Sequence, residues 1–216
     1  MNNIPDKIYL NNMLSIGKGI ENIKIIENII TEEESALLYQ ECKNELFSYK
    51  DKNTGKQWKN KISSEDMISY KSNLILLNTC NKILKLAESL YNVKLEFSSS
   101  LQLVKWQETD NMEQHVDDFA VFHNNISSIL YINDDYSGGE IVFKQYNYSI
   151  KPKSGSLVLF PGNKYYAHSV NKIISGNRYT SPFWFKYTGS DFHGRGRPLN
   201  FKSINDWIEK DWEHGN

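Results

Sequence analysis

Between Leu95 and Tyr187 the chain is a succession of short β-type runs cut apart by turn-forming clusters, and that texture limits the folds open to it. The runs are Leu95–Trp106, Ile126–Asn133, Glu140–Phe143, Ser156–Phe160, Tyr165–Val170 and Arg178–Tyr187. Between them lie Tyr136-Ser137-Gly138-Gly139, Lys151-Pro152-Lys153-Ser154-Gly155, Pro161-Gly162-Asn163 and Ser175-Gly176-Asn177. Gly, Pro, Asn and Ser at these places favour the backbone conformations that reverse a chain. Many short strands at regular spacing predict a double-stranded β-helix, the jelly roll of cupin-like proteins. The expected class is α+β, mainly β.

Helices belong to the first third and are expected to pack on one outer face of the roll. Thr31-Glu32-Glu33-Glu34 is a capping-box sequence, with Thr31 as N-cap and Glu34 three residues on. It opens a helix whose apolar positions Ala36, Leu37, Leu38, Cys42 and Leu46 recur at helical spacing. A second helix is predicted from about Thr79 to Leu90, with Ile83, Leu84, Ala87 and Leu90 inward. Between the two, Tyr49 to Ser72 is polar and poorly periodic and reads as a lid.

At 216 residues the chain suits one well-cored domain, and neither a repeat nor a low-complexity linker divides it. The expected organisation is a single domain over residues 1–216. A support region spans 1–94, the jelly-roll core 95–187, and a tail 188–216 carries a short helix from Ser203 to Trp212. A 39% hydrophobic and 13% aromatic content excludes a disordered chain. With 25 basic against 26 acidic residues, nothing here forms a field for nucleic acid. The Lys-rich stretch Lys50–Lys61, broken by Asp51 and Trp58, reads as a solvated loop. Cys42 and Cys80 lack CxxC spacing and read as reduced thiols. Met1–Leu14 has no basic start followed by an apolar run, so no signal peptide and no membrane span are expected, and the location is read as cytoplasmic. The abundance of Asn, Ile, Lys and Tyr fits an AT-rich bacterial or viral genome.

The chemistry is carried by His115-Val116-Asp117, by His168, and by Arg178 ten residues beyond it. Two imidazoles and one carboxylate are the donor set of a non-haem Fe(II) facial triad, which leaves three positions of an octahedral ion open. Residues i and i+2 of a strand face the same way, so His115 and Asp117 near a strand end can share a target. Arg178 supplies a fixed cation able to anchor a dicarboxylate. These residues point to an oxygenase that uses Fe(II), 2-oxoglutarate and O2. A lone His-x-Asp is a weak signal among five histidines, and the flanking sequence strengthens it.

Ile129-Leu130-Tyr131-Ile132-Asn133-Asp134 resembles the "LLYLND" strand of the prolyl 4-hydroxylase-like 2-oxoglutarate/Fe(II) dioxygenases. Gly138-Gly139-Glu140-Ile141-Val142-Phe143 is similar to that family's "GGET-x-F", and Lys153-Ser154-Gly155-Ser156-Leu157-Val158-Leu159-Phe160 to its "kkGsallF". His168-Ser169-Val170, Gly176-Asn177-Arg178-Tyr179 and Phe183-Trp184-Phe185 follow in the family's order, so the resemblance runs from Leu101 to Tyr187. It implies that His115, Asp117 and His168 ligate Fe(II) and that Arg178 binds the distal carboxylate of 2-oxoglutarate. It implies further that Tyr131 and Thr180 add hydroxyl contacts to that carboxylate and that Val170 packs on the co-substrate's methylenes. Ascorbate commonly rescues oxidised iron in relatives. The chain departs from the family at Met112, where a tyrosine is usual, and at Ile141, where threonine is usual. The residues near the triad, Asp118 and His123, read as loop positions because three ligands are already supplied.

The resemblance implies hydroxylation of a C–H bond as 2-oxoglutarate and O2 become succinate and CO2, with peptidyl proline as the default substrate. Trp58 and Trp106 are candidates to pack on its ring, and a free amino acid is the second option. A nucleic-acid dealkylase shares the ligand set but carries a second arginine where this chain has Trp184. A zinc-binding cupin-like module leaves Arg178 and Tyr131 without a purpose. A scaffold reading would use Gly194-Arg195-Gly196-Arg197 and the Trp207/Trp212 helix as contact surfaces, which read more simply as a loop and a packed tail.

Overall fold

The structure, a computed structural model, describes residues 16, 18–44, 49–50, 57–58, 61–63, 69–99, 101–117 and 125–189. Its frame is one large antiparallel sheet facing a smaller one. The large sheet runs in the order β1 (Lys24–Ile26), β12 (Leu157–Pro161), β8 (Ile126–Tyr131), β15 (Arg178–Tyr187), β6 (Gln102–Trp106) and β4 (Lys61–Ser63), with β5 (Leu95–Phe97) also paired to β15. The small sheet runs β11 (Tyr148–Ile150), β10 (Ile141–Phe143), β13 (His168–Val170) and β7 (Met112–His115). Two short ribbons complete the described strands: β9 (Ser137–Gly138) with β14 (Ile173–Ser175), and β2 (Tyr49–Lys50) with β3 (Gln57–Trp58). This is the predicted jelly roll.

Alternation along the central strands sorts their side chains into two cores. Leu157 and Leu159 of β12, Leu130 and Ile126 of β8, and Phe183 and Phe185 of β15 face outward onto the helices. Val158 and Phe160 of β12 and Tyr131 of β8 face inward, toward Ile141 and Phe143 of the small sheet. Phe97 touches both Phe183 and Phe185, at ring separations of 6.4 and 5.7 Å, and closes the outer layer. A one-residue slip would exchange the two faces of every strand, so burial on both sides pins the register.

The outer face is covered by α1 (Glu32–Asn44) and α2 (Tyr70–Tyr91). The capping box forms as read: the Glu34 amide donates to Thr31 Oγ1 (3.1 Å), and the Thr31 amide donates to a Glu34 carboxylate oxygen (2.9 Å). Leu38 of α1 and Leu76, Cys80, Ile83 and Ala87 of α2 are buried against the sheet. Helix α2 starts at Tyr70, well before the expected Thr79, with Ser69 as N-cap accepting from the Ser72 amide. The consecutive apolar run Ile75-Leu76-Leu77 hides the helical period; all three are buried, so this turn is enclosed on several sides. The last residues of the expected lid, 70–72, therefore belong to a helix, and Cys80 sits in its middle. Both cysteines are free and buried.

Further departures are local. The run Leu95–Trp106 is two strands, β5 and β6. Tyr165 and Tyr166 lie in a 3₁₀ turn, Lys164–Tyr166, and only His168–Val170 is strand. The expected tail helix, Asp118, His123 and Gly194–Arg197 lie outside the described residues. No helix among the described residues is long and apolar enough to cross a membrane.

Candidate active site

Strand pairing brings the two histidines together. His168, first residue of β13, is the Cα partner of His115, last residue of β7, and their rings stand 4.3 Å apart. Asp117 lies just beyond the end of β7 instead of on it, so its carboxylate reaches both rings. Asp117 Oδ1 is 3.7 Å from His115 Nε2, and Oδ2 is 3.8 Å from His168 Nε2. The candidate ligand atoms of the three residues all lie within 4.8 Å of one another. No other such group of His, Cys, Asp or Glu occurs among the described residues.

The far side of each ring is already engaged. His115 Nδ1 is 2.9 Å from the Glu113 carbonyl, and His168 Nδ1 is 3.1 Å from the Tyr166 carbonyl. A carbonyl can only accept, so Nδ1 carries the hydrogen and Nε2 presents a lone pair. In both cases the carbonyl belongs to the residue two positions back, and in both the tautomer needed for ligation is set by the main chain. Phe160 lies edge-on to His168 at 4.8 Å, and Phe143 is tilted against it at 5.7 Å. Burial lowers the His168 pKa and proximity to His115 lowers it further, against the opposing pull of Asp117 and the Tyr166 carbonyl. The ring is held neutral, as a metal ligand requires. Two imidazoles and one carboxylate fit a facial-triad metal.

The second half of the site is an anion pocket around Arg178. Arg178 is buried, with the side chain 1% exposed, and Nη2 donates to the Tyr131 hydroxyl at 3.2 Å. Its Nε and Nη1 have no partner, and no carboxylate faces it in an ion pair among the described residues. The guanidinium lies 5.1 Å from the Trp106 ring centroid and 4.9 Å from that of Tyr131. These faces offset part of the burial cost but leave the charge uncompensated. A buried cation with free in-plane donors, walled by aromatics, has the chemistry to receive a carboxylate.

Register explains who shares the pocket. Arg178 pairs with Trp106, and Thr180 pairs with both Val104 and Tyr131, so all five project from one face of the large sheet. Thr180 Oγ1 accepts the Trp106 indole N–H at 3.2 Å. Val170 is buried with Val104, Trp106, Tyr136 and Ile173. Trp106, expected to meet substrate, is instead spent on the pocket wall, because its N–H and one ring face are committed to Thr180 and Arg178. Trp58 lies where only the backbone is described.

Sequence reasoning missed Tyr136. Its hydroxyl is buried without a hydrogen-bond partner, beside the unpartnered donors of Arg178. Burial raises its pKa, against the lowering charge of Arg178. Lys151 Nζ holds it from behind, bonding the Tyr136 carbonyl and lying 4.6 Å from the ring centroid. Its place inside a Ser-Gly-Gly turn cluster concealed it, since only the tertiary contact with Arg178 gives it a role.

Comparison with known proteins agrees with this geometry. Residues 101–186 match the family model of the 2OG-Fe(II) oxygenase superfamily. The chain is 38% identical over 71 residues to human prolyl 3-hydroxylase 2 (31% of this chain, 10% of that protein). It is 42% identical over 64 residues to a PKHD-type hydroxylase of Pseudomonas paraeruginosa (28% of this chain, 27% of that protein). The matched segments thus span a small part of these relatives' own lengths. A Trichoplax adhaerens prolyl hydroxylase, solved with a hypoxia inducible factor peptide fragment, superposes with TM-score 0.63 at 15% identity (82% of this chain, 89% of that one). The viral collagen prolyl hydroxylase of Paramecium bursaria Chlorella virus-1 does so with TM-score 0.58 at 15% identity (77% and 96%). At such identities the likeness is one of fold.

Proposed function

We propose that the protein is an Fe(II)- and 2-oxoglutarate-dependent dioxygenase that hydroxylates peptidyl proline. The observation that carries the oxygenase reading is the pairing of two incomplete sites in one roll. A His-His-Asp cluster presents three lone-pair donors toward one point, and a buried arginine lacks its anion. A divalent iron and a dicarboxylate would complete both.

In this reading His115, Asp117 and His168 hold Fe(II), which when bound supplies the activation of O2 coupled to oxidative decarboxylation of 2-oxoglutarate. The chain's residues do the rest. The Glu113 and Tyr166 carbonyls keep both Nε2 atoms unprotonated. Arg178, with the Tyr131 and Tyr136 hydroxyls near it, takes the distal carboxylate; Thr180 and Val170 belong to the same wall. Phe143 and Phe160 exclude water behind His168. The bidentate fork of Arg178 fixes the co-substrate's direction, so that its 2-oxo acid end points away from the arginine.

The prolyl assignment rests on relatives that are named prolyl hydroxylases and on one solved with a peptide. The test is anaerobic loading with Fe(II), exposure to O2 with 2-oxoglutarate, and quantification of succinate, followed by a screen of proline-containing peptides for a 16 Da gain. Succinate formation that His168→Ala abolishes supports the reaction, and a hydroxylated proline supports the substrate. Failure of Fe(II)-loaded protein to bind 2-oxoglutarate would overturn the reaction, and turnover coupled only to a free amino acid would overturn the substrate.

A further inference from the structure

On the side of β8, ordinary ladder pairing holds the strand that delivers Arg178 only as far as Tyr179. Tyr131 is the last residue of β8 and pairs with Thr180. Beyond it one main-chain bond remains, from the Ile132 amide to the Tyr179 carbonyl at 3.0 Å, and the ladder then hands over to a side chain. Asn133 Oδ1 accepts the Tyr179 amide at 2.7 Å, and Asn133 Nδ2 donates to the Asn177 carbonyl at 2.8 Å. Those are the residues immediately after and immediately before Arg178. One buried amide thus grips the backbone on both sides of the arginine, with a donor and an acceptor used at once. The amide's orientation is dictated by its partners, since an N–H must meet the oxygen and a carbonyl must meet the nitrogen.

The grip has its own support. Asn133 Nδ2 also donates to Asp135 Oδ1, and Asp135 Oδ2 accepts the Tyr39 hydroxyl from helix α1. The turn at Gly176 packs on the Asp135 carbonyl and Tyr136 Cα, so the same segment carries both the clamp and the second phenol of the anion pocket. An alanine at 133 would leave the buried Tyr179 N–H unpaired, release the Asn177 C=O and free the start of β15 to shift.

We propose that Asn133 is the positioning residue for Arg178, setting the guanidinium where it meets the distal carboxylate of the co-substrate; this rests on the dioxygenase reading above. Asn133 touches no reacting atom. Its effect is therefore confined to ligands that use Arg178.

The experiment compares two 2-oxo acids on anaerobic Fe(II)-loaded protein by calorimetry: 2-oxoglutarate, which has a distal carboxylate, and pyruvate, which lacks one. Asn133→Ala is expected to weaken 2-oxoglutarate roughly tenfold, the loss of a well-placed charged contact, while pyruvate binding and Fe(II) affinity stay within about twofold. Arg178→Gln in wild-type background sets the full size of the distal-carboxylate effect. Equal weakening of both acids, or unchanged 2-oxoglutarate binding, overturns the proposal. Wild-type protein that binds both acids alike, with no effect of Arg178→Gln, overturns the dioxygenase reading and the role of Asn133 with it. Should Asn133→Ala not fold, as judged by thermal melting, Asp135→Ala serves in its place. It removes the clamp's support at an exposed position and is expected to give a smaller loss, about threefold, confined again to 2-oxoglutarate.

Discussion

His115 and His168 are direct cross-strand partners, and Asp117 stands within 3.8 Å of both at their Nε2 atoms. Three donors converge there, an arrangement that burial makes costly for the carboxylate and that a bound cation would relieve. A divalent ion binding the folded state alone should raise its stability by RT ln(1 + [M]/Kd), about 2.7 kcal/mol at a hundredfold excess over Kd. The expected outcome is a higher melting temperature with Fe(II) under argon, or with Co(II) or Ni(II), in wild-type protein. His168→Ala and Asp117→Ala should each abolish the increase, and an unshifted melting curve in wild type would refute the metal site.

Arg178 makes an opposite prediction for stability and function. Its guanidinium is buried, and Nε and Nη1 lack partners. Arg178→Met keeps much of the volume and removes the unpaired charge. The apo variant should therefore melt no lower than wild type, with a gain of up to about 2 kcal/mol by denaturant titration. The same variant should lose 2-oxoglutarate binding at millimolar concentration. A strongly destabilised Arg178→Met would mean that the aromatic stacking on Trp106 and Tyr131 already compensates the charge.

Much of this site could be read from the chain, and the rest could not for definite reasons. The strand Arg178–Tyr187 was legible to the residue because Gly176-Asn177 precedes it and its residues are rich in aromatics. Tyr131's place beside Arg178 followed from motif order, and its hydroxyl does meet the guanidinium. The carbonyls of Glu113 and Tyr166 that orient the histidines leave no mark in sequence, since every residue has one. Strand β1 is only three residues long, too short for a period to show. Tyr136 and Asn133 act through contacts made by turns, where neither alternation nor helical spacing gives a signal.

Tyr136→Phe tests the missed phenol directly. The buried hydroxyl has no partner to lose among the described residues, so folding stability should stay within about 0.5 kcal/mol of wild type or rise. A hydroxyl that donates to the bound carboxylate should show in affinity instead. The dissociation constant for 2-oxoglutarate is expected to rise about fivefold to tenfold, one hydrogen bond to a charged group, with kcat at saturation unchanged. Equal affinity in the two proteins would confine Tyr136 to packing.

The Tyr39–Asp135 contact gives stability a pH dependence at both ends. Burial, then the Asp135 hydrogen bond and charge, push the Tyr39 phenol up to about 12 from 10.0. Its contribution is fully present below pH 10 and is lost as the pH rises from about 10 to about 12. Burial would raise the Asp135 carboxyl, but hydrogen bonds from Tyr39 and Asn133 outweigh it and hold it below its ordinary value of 3.8. That contribution is present above the unfolded value and lost as pH falls through the lower, folded one. Urea unfolding of wild type and Tyr39→Phe should therefore differ most at neutral pH, by roughly the size of a partly exposed contact, and converge toward pH 12 and as the pH falls below 3.8. A difference independent of pH would show that the phenol contributes only its ring.

Gly139 carries the sharpest steric test of the anion pocket. Its φ is +70°, a conformation that L side chains adopt rarely, and an added Cβ would lie 2.4 Å from Ile173 Cδ1, 3.2 Å from Arg178 Cδ and 3.2 Å from Tyr136 Cε2. Ile173 Cδ1 ends a side chain that is wholly buried among Val104, Trp106, Tyr136 and Val170, which leaves it little room to yield. Gly139→Ala should thus cost about 2 to 3 kcal/mol from strain and overpacking combined. It should also displace Arg178 and weaken 2-oxoglutarate while leaving metal affinity intact. Gly155 is the matched control: its φ is +76°, but the nearest atom to an added Cβ is the Ile30 carbonyl at 3.2 Å, away from the pocket. Gly155→Ala should cost about 1 kcal/mol from backbone strain and change neither affinity. Denaturant unfolding with parallel 2-oxoglutarate titrations separates the two, because strain is common to both glycines and only Gly139 abuts the arginine. If both variants lose stability equally and neither loses affinity, the pocket wall is softer than these contacts imply.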